Sequence, residues 1–125
     1  MKKQQDETLE ALKSAARGLR MPSETDAPFE VFAWEDAGKL TPDLVLRLTG
    51  EDKGTAVEES SLDELFATVP SEDKARFQKL RQALREQLGG VRVYKVGDEA
   101  ERLVYVVGKA KDGRWAGLKT AVVET

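Results

Sequence analysis

The chain of 125 residues contains neither cysteine nor histidine. Without cysteine, it can form no disulfide, no thiolate metal site and no cysteine nucleophile. Without histidine, it lacks the most common general base and the most common transition-metal ligand. Any catalysis would have to depend on carboxylates, lysine or tyrosine, and we predict that the chain is not an enzyme.

Long apolar runs are also missing, and charged residues make up 34% of the sequence. No stretch is long enough to span a bilayer, and no apolar run follows the basic N-terminal residues as a signal peptide would require. These absences predict a cytoplasmic protein that does not bind membranes. The net charge of −3 disfavours nucleic acid as a partner and favours a basic protein surface, because nucleic-acid affinity comes mainly from lysine and arginine.

The spacing of apolar residues predicts one domain over residues 1–125, built from alternating helices and strands. Start and stop signals at the element ends set the expected bounds, among them Thr41-Pro42 at a helix start and Gly89-Gly90 at a helix stop. The predicted helices cover residues 7–19, 42–48, 62–66 and 72–88. The predicted strands cover residues 29–34, 55–59, 91–96, 103–107 and 115–123.

Two features of the second half of the chain predict how these elements are arranged. The strand at residues 103–107 is almost wholly apolar, which is typical of a sheet covered on both faces. Asp112-Gly113 predicts a two-residue hairpin loop between the last two strands. We therefore predict an α+β fold, a three-layer α/β/α sandwich around a mixed, mostly antiparallel sheet that ends in a three-stranded meander.

Acidic residues are plentiful, so a carboxylate-based hydrolase or a Mg²⁺ site is an alternative to consider. Five acids fall between residues 52 and 64, namely Asp52, Glu58, Glu59, Asp63 and Glu64. However, Glu58 and Glu59 would point to opposite faces of a strand, and Asp63 and Glu64 are explained by a capping box at a helix start. Since the chain also has no glycine-rich phosphate loop, serine elbow or metal-ligand spacing, we predict no metal site in the free protein and no cofactor.

Aromatic and basic residues of the last strands could be taken for a binding surface. Trp115 and Tyr94 could form a ligand platform, but aromatic residues on alternating strands are more often core residues or cross-strand pairs. A basic rim on the last hairpin is too small to predict a nucleic-acid site; its residues are Lys109, Lys111, Arg114 and Lys119.

Two segments are less easily explained by folding alone. Residues 23–26 (SETD) place acids between a helix end and a strand start, where no helix follows that they could cap. Residues 122–125 (VVET) run from a predicted strand directly to the last residue, which we expect to hold a terminal carboxylate in a fixed place. Both segments are candidate binding elements.

The sequence resembles the bacterial nuclease A inhibitor family in six segments, which follow one another over nearly the whole chain. They are residues 28–35 (PFEVFAWE), 75–80 (ARFQKL), 93–97 (VYKVG), 104–108 (VYVVG), 116–120 (AGLKT) and 122–125 (VVET). The resemblance implies the same three-layer sandwich. It also implies that the chain inhibits a metal-dependent, sugar-non-specific endonuclease of the ββα-metal type, which cuts both DNA and RNA.

The resemblance further implies which residues reach the nuclease. Glu24 matches a glutamate that stands in for the scissile phosphate, and Thr125 matches a threonine whose oxygen binds the catalytic Mg²⁺ of the nuclease. A glutamate presents two charged oxygens to phosphate-binding donors, and Mg²⁺ prefers hard oxygen ligands. The free inhibitor is expected to be a monomer that meets Mg²⁺ only through its partner. Flanking contacts are expected from Ser23, Thr25, Glu124, Glu72 and Asp73.

One segment departs from the family pattern. The family has a longer acidic loop before the long helix, with an Asp–Trp pair that makes a second contact, whereas residues 67–73 (ATVPSED) are short and lack tryptophan. Two alternatives to the inhibitor hypothesis therefore stay open. The first is a general protein-interaction domain on the same scaffold with a different partner, and the second is a small carboxylate-based enzyme.

Overall fold

The computed structural model describes residues 2–21, 27–35, 38–97, 100–111 and 113–123. The helices of this part of the chain are α1 (Lys2–Ala16), α2 (Pro42–Thr49), α3 (Leu62–Leu65) and α4 (Lys74–Gln87). The strands are β1 (Arg20–Met21), β2 (Ala27–Pro28), β3 (Glu30–Trp34), β4 (Val57–Ser60), β5 (Gly89–Val96), β6 (Glu101–Lys109) and β7 (Trp115–Val123). The predicted helices and strands are all present, β7 with the predicted bounds and the others with shifted ones, and β1 and β2 are additional. None of the described helices has the length and apolar character of a membrane span.

Helix α2 begins at the predicted residue and ends one residue later than predicted. The backbone N–H of Leu44 donates to the Thr41 hydroxyl at 3.1 Å, and Pro42 occupies the first turn, where its missing N–H leaves no hydrogen bond unmade. Gly50 ends the helix with a φ of 76°, a left-handed conformation that glycine adopts without strain. Local chemistry therefore fixes both ends of α2.

The C terminus of α4 differs from the prediction, which assigned the stop to Gly89 and Gly90. Leu88 directly follows the helix, has an extended backbone and is buried, so the chain passes straight into β5. Gly90 has a φ of 59°, but it adopts this conformation in a β-bulge opposite Gly108 and not in a helix cap. Gly90 therefore shapes the sheet, and neither glycine ends the helix.

Five strands form one sheet in the order β3-β7-β6-β5-β4, and β1 and β2 form a separate two-stranded ribbon. β5, β6 and β7 are neighbours both in sequence and in space, which confirms the predicted meander. All four strand pairings of the large sheet are antiparallel, so its described strands include no parallel pair of the kind that a mixed sheet would contain. In the meander this follows from the short connections, because short turns join only antiparallel neighbours.

Helices cover both faces of the sheet. On one face, α1, α3 and α4 share a core with Val104, Val106 and Leu118. On the other face, α2 shares a core with Tyr105 and Val107. The residues of β6 alternate between the two cores because successive side chains of a strand point to opposite faces. This confirms the three-layer sandwich and the two-sided burial predicted for the apolar strand.

Gly117 of β7 lies directly against the backbone of the neighbouring strand β6. A Cβ atom added at this position would stand 1.7 Å from the carbonyl oxygen of Val106. Any other residue would therefore force β6 and β7 apart, and glycine sets the spacing of these strands.

The turn between β6 and β7 is longer than predicted. The backbone N–H of Ala110 donates to Arg114 O at 2.7 Å, so three residues lie between this pair, and not the two that the Asp112-Gly113 signal indicates. Gly113 has a φ of 91°, as is common for the glycine of a three-residue hairpin loop, whereas Asp112 lies outside the described residues. The position of the hairpin is confirmed and its predicted loop length is wrong.

Candidate functional site

The ribbon of β1 and β2 lies where the acidic candidate segment joins the rest of the fold. Arg20 pairs with Pro28 and Met21 pairs with Ala27 across the ribbon, so residues 22–26 connect two strands whose ends are held together. Met21 is only 2% exposed because it packs in the core shared with α1 and α4. Backbone pairing and side-chain burial therefore fix both attachment points of this segment.

Thr120 fastens the ribbon to β7. Its hydroxyl donates to the carbonyl oxygens of Pro28, at 3.0 Å, and Ala27, at 3.3 Å. Thr120 is 4% exposed, so water has little access to these hydrogen bonds. Removing the hydroxyl would lose hydrogen bonds that are shielded from solvent on the donor side. A single buried hydroxyl thus links the acidic segment to the strand that ends in the second candidate segment.

Strand β7 stays in the sheet up to the last described residue. Val122 pairs with Arg102 and Val123 pairs with Glu101, both on β6. Since β3 runs antiparallel to β7, the start of β3 and the end of β7 lie at the same end of the sheet. We call this region, with the β1–β2 ribbon beside it, the ribbon end of the sheet.

The 3₁₀ turn Ser71–Asp73 shares a cleft with the ribbon. Asp73, Arg76 and Arg20 line a cleft of about 300 Å³ beside the turn between α1 and β1. Asp73 is half-buried, whereas Glu72 is exposed. Both acids precede α4 and do not lie in its first turn as predicted, because the Asp73 N–H bonds to the carbonyl three residues earlier, at 2.9 Å, and forms a separate 3₁₀ turn.

A comparison with known protein families identifies one match. The family model described as nuclease A inhibitor-like protein matches residues 6–125, nearly the whole chain. The chain belongs to this family. The match confirms the resemblance seen in the six sequence segments, and no curated protein matches the chain. Membership in the nuclease A inhibitor-like family indicates an inhibitory role and a nuclease as partner. It agrees with the prediction that the chain is not an enzyme, which stays a prediction.

The central residues of the predicted inhibitory site lie outside the described residues, so their roles stay predictions. These residues are Ser23, Glu24 and Thr25 on the acidic segment, and Glu124 and Thr125 after β7. The structure describes the attachment points of both segments at the ribbon end. Of the remaining predicted contacts, Asp73 lines the cleft beside the ribbon, while Glu72 is exposed on the same turn.

Three residues near the ribbon were not predicted from the sequence. Thr120 carries the clearest signal, since it is a polar residue on the inward face of β7, whose other residues on that face are apolar. Arg20 and Arg76 gave no comparable signal, because surface arginines are common and only the fold brings these two to one cleft. Their placement beside Asp73 gives the ribbon end both charge signs.

Three of the five acidic residues considered for a Mg²⁺ site have structural partners. Glu58 forms an ion pair with an arginine of β6, and Asp63 forms one with an arginine of α4. The backbone N–H of Glu64 donates to the Ser61 hydroxyl at 3.2 Å, as the capping box predicts. Within the described ranges, no three acidic side chains are grouped so that they could hold a metal ion.

The aromatic residues of the last strands belong to the core on the α2 side. Tyr94 is fully buried, and the half-buried Trp115 packs on the same core. The indole N–H of Trp115 donates to Gly38 O at 2.7 Å, which fixes the orientation of the ring. This confirms the structural interpretation of both residues.

Proposed function

We propose that this chain inhibits a metal-dependent, sugar-non-specific endonuclease of the ββα-metal type by occupying its active site. Glu24 takes the place of the scissile phosphate, and an oxygen of Thr125 contacts the catalytic Mg²⁺ of the nuclease. The observation that carries the proposal is the pair of hydrogen bonds from Thr120 to Ala27 and Pro28, since they join the attachments of both segments at the ribbon end.

The short distance along the chain from each group to a described residue supports the proposed proximity of Glu24 and Thr125. Glu24 is three residues from Ala27, and Thr125 is two residues from Val123. An extended chain spans at most ~3.6 Å per residue, so the backbone of Glu24 stays within about 11 Å of Ala27 and that of Thr125 within about 7 Å of Val123. Both groups are therefore restricted to the neighbourhood of one end of the sheet, as a single active-site plug requires.

The chemistry of the two groups fits the active site of a metal-dependent nuclease. A carboxylate offers two charged oxygens to the donors that hold a phosphate, with no bond that the enzyme can cut. Mg²⁺ in nucleases keeps exchangeable waters, and an oxygen of Thr125 is a ligand of the hard type that it accepts. The inhibitor thus presents substrate-like charge and contributes no cofactor of its own.

Asp73 and Glu72 are proposed to make weaker flanking contacts, together with Ser23, Thr25 and Glu124. Asp73 lines the cleft that adjoins β1, so a nuclease docked on the ribbon end would also pass near the 3₁₀ turn. We expect smaller losses from Asp73→Asn than from a change at Glu24, because a charge at the rim of an interface contributes less than a fully desolvated one.

The proposal is tested by measuring inhibition constants against a panel of ββα-metal nucleases in the presence of Mg²⁺. We expect Glu24→Gln and deletion of Thr125 each to weaken inhibition by tens to thousands of times. This corresponds to the ~2–5 kcal/mol that removal of a buried interfacial charge partner costs. We expect the free energy of unfolding of both variants to equal that of the wild type, and urea denaturation measures it alongside inhibition.

Glu10→Gln on the exposed face of α1 is the matched control, because it removes the same charge from a surface outside the ribbon end. It should inhibit as the wild type does. Equal inhibition by the wild type, the Glu24 variant and the Thr125 deletion would defeat the proposed mechanism.

One observation favours a second candidate, an interaction domain on the same scaffold with a different partner. Residues 67–73 stay close to the body of the protein, because Val69 is buried and residues 71–73 form a 3₁₀ turn. The preceding Phe66 packs edge-on against Phe77, with ring centroids 5.1 Å apart. This segment therefore has little length left to project the second contact that the family resemblance implies. Capture of a protein other than a nuclease, together with no inhibition across the nuclease panel, would favour this candidate.

A further inference from the structure

At the opposite end of the sheet from the ribbon, basic residues surround a cleft. Lys39, Arg92 and Lys109 line it with Trp115, and its volume is about 490 Å³. Among the described residues that line it, none is acidic. The register places Trp115 at the start of β7 beside Lys109 at the end of β6, so about 26 Å of strand separates this cleft from the end of β7.

A second basic cleft adjoins the first and has a volume of about 470 Å³. Arg81 and Arg85 of α4 line it, together with Asp63, which forms an ion pair with Arg81. Gly89 and Gly90 line both clefts. We call the two glycines and the five cations around them the basic saddle. The three ion pairs found among the described residues involve neither Lys39, Arg92 nor Lys109.

The glycines of the saddle leave its centre without side chains. Gly90 needs to be glycine because its φ is 59°. Gly89 has neither a positive φ nor a close neighbour, since an added Cβ would meet only Lys109 O at 3.9 Å, an ordinary contact. Folding therefore does not explain glycine at position 89. A side chain there would stand between the two clefts, so its absence keeps a continuous path open between them.

The backbone and the cations of the saddle suit the same class of ligand. The pairing of β5 with β6 is interrupted by a bulge between Gly89 and Arg92, and the extra residue of a bulge has no partner in the ladder. Free backbone N–H groups beside a left-handed glycine bind anions. Arginine and lysine on both sides of them favour phosphate, through bidentate hydrogen bonds and charge neutralisation.

We propose that the basic saddle binds an anion with consecutive phosphate groups, which lies across Gly89 and Gly90 and reaches the cations of both clefts. The phosphates can belong to a small polyphosphate or to the backbone of a nucleic-acid strand. The site is separate from the ribbon end, so it does not depend on the proposed inhibitory mechanism. Ligand binding at the saddle is expected to leave the groups around Glu24 free for the nuclease.

The test is a heteronuclear NMR titration of the full chain with tripolyphosphate, with a short oligothymidylate, and with sulfate at matched ionic strength. The backbone amide signals of Gly89 and Gly90 and the indole N–H signal of Trp115 report on the site. We expect them to shift with tripolyphosphate at concentrations at which sulfate has little effect. Stronger binding of the oligothymidylate per phosphate would identify a nucleic-acid strand as the source, and binding of tripolyphosphate alone would identify a small anion.

Variants give the titration its control. The double variant Arg92→Gln/Lys109→Gln should bind tripolyphosphate about tenfold more weakly or worse. The control Lys13→Gln/Lys79→Gln removes the same charge from exposed positions of α1 and α4, and it should have little effect on binding. Gly89→Ser, which adds a side chain between the clefts without changing the charge, should also weaken binding. Three results would overturn the proposal. They are equal shifts in the wild type and the Arg92–Lys109 variant, an equal loss of binding in the control variant, or no shift with either phosphate ligand.

Discussion

The middle of the sheet and its two ends place different demands on their residues. In the middle, Val104, Val106 and Leu118 are buried between helices and neighbouring strands, so size and shape decide what fits. At the ends, charged groups stand at the surface, with Lys109 in the basic saddle and Glu101 beside the end of β7. Stability and binding therefore depend on separate parts of the same strands. Mutations in the middle should change the free energy of unfolding, and mutations at the ends should change binding.

The largest expected effect is at Gly117, in the middle of the meander. Because an added Cβ would stand 1.7 Å from Val106 O, Gly117→Ala should lower the free energy of unfolding by more than about 4 kcal/mol, or abolish folding. Gly54→Ala is the matched control, since its Cβ would meet nothing within 4 Å, and it should be neutral or stabilising by up to about 1 kcal/mol. Urea denaturation followed by circular dichroism measures both, and similar stability of the two variants would contradict the comparison.

Thr120 lies between the middle of the sheet and the ribbon end, so a change there should affect both stability and inhibition. Thr120→Val keeps the shape of the side chain but removes the donor to Ala27 and Pro28. This should lower the free energy of unfolding by about 1–3 kcal/mol. It should also weaken inhibition, because the ribbon loses its link to β7. The control is Thr49→Val, which removes a hydroxyl that donates to Val45 O within α2 at 2.8 Å. That variant should inhibit as the wild type does. Unchanged inhibition by Thr120→Val would show that the link does not position the binding groups.

The smallest expected effect concerns Tyr105 and appears only at alkaline pH. Burial raises the pKa of Tyr105 above its usual value of 10, and the charge of Glu51 acts in the same direction. The unfolded chain therefore loses this proton at a lower pH than the folded chain does. The contribution of Tyr105 is fully present below about pH 10 and declines by at most ~1.4 kcal/mol per pH unit as the pH rises towards the folded pKa.

Tyr105→Phe should remove this part of the pH dependence. Its free energy of unfolding should fall less steeply than that of the wild type between about pH 9 and about pH 11, while any packing change is the same at every pH. Urea denaturation at several pH values measures the two slopes. Parallel slopes would contradict the assignment of a raised pKa to the buried hydroxyl.

The sequence was most informative where local chemistry and burial agree. Thr41 and Pro42 predicted the start of α2, and the apolar run in β6 predicted a sheet buried on both faces. Where two structures suit one local signal, the prediction was wrong. A pair of glycines in the sequence fits either a helix stop or a β-bulge. At Gly90, which has a positive φ, only the burial of Leu88 and the pairing with β6 show that the chain forms a bulge.

The candidate site was less predictable because it depends on contacts between distant parts of the chain. The family resemblance led to Glu24 and Thr125, but no local pattern places Thr120 against Ala27, which is 93 residues away in sequence. The basic saddle is a similar case. Lys109 belongs to the basic rim of the last hairpin, whereas Arg92 comes from β5 and Lys39 from the segment before α2. The rim alone was too small to predict an anion site, and only the fold brings the three residues to one cleft.

The central claim is that the ribbon end enters the nuclease active site while the basic saddle faces away from it. Replacing the catalytic Mg²⁺ of the nuclease with paramagnetic Mn²⁺ in the complex tests this most directly. The amide signals of the inhibitor near Ala27 and Val123 should broaden beyond those of the same complex with Mg²⁺, and those of Gly89 and Lys109 should broaden least. Strongest broadening at Gly89 and Lys109, with sharp signals at Ala27 and Val123, would contradict the account.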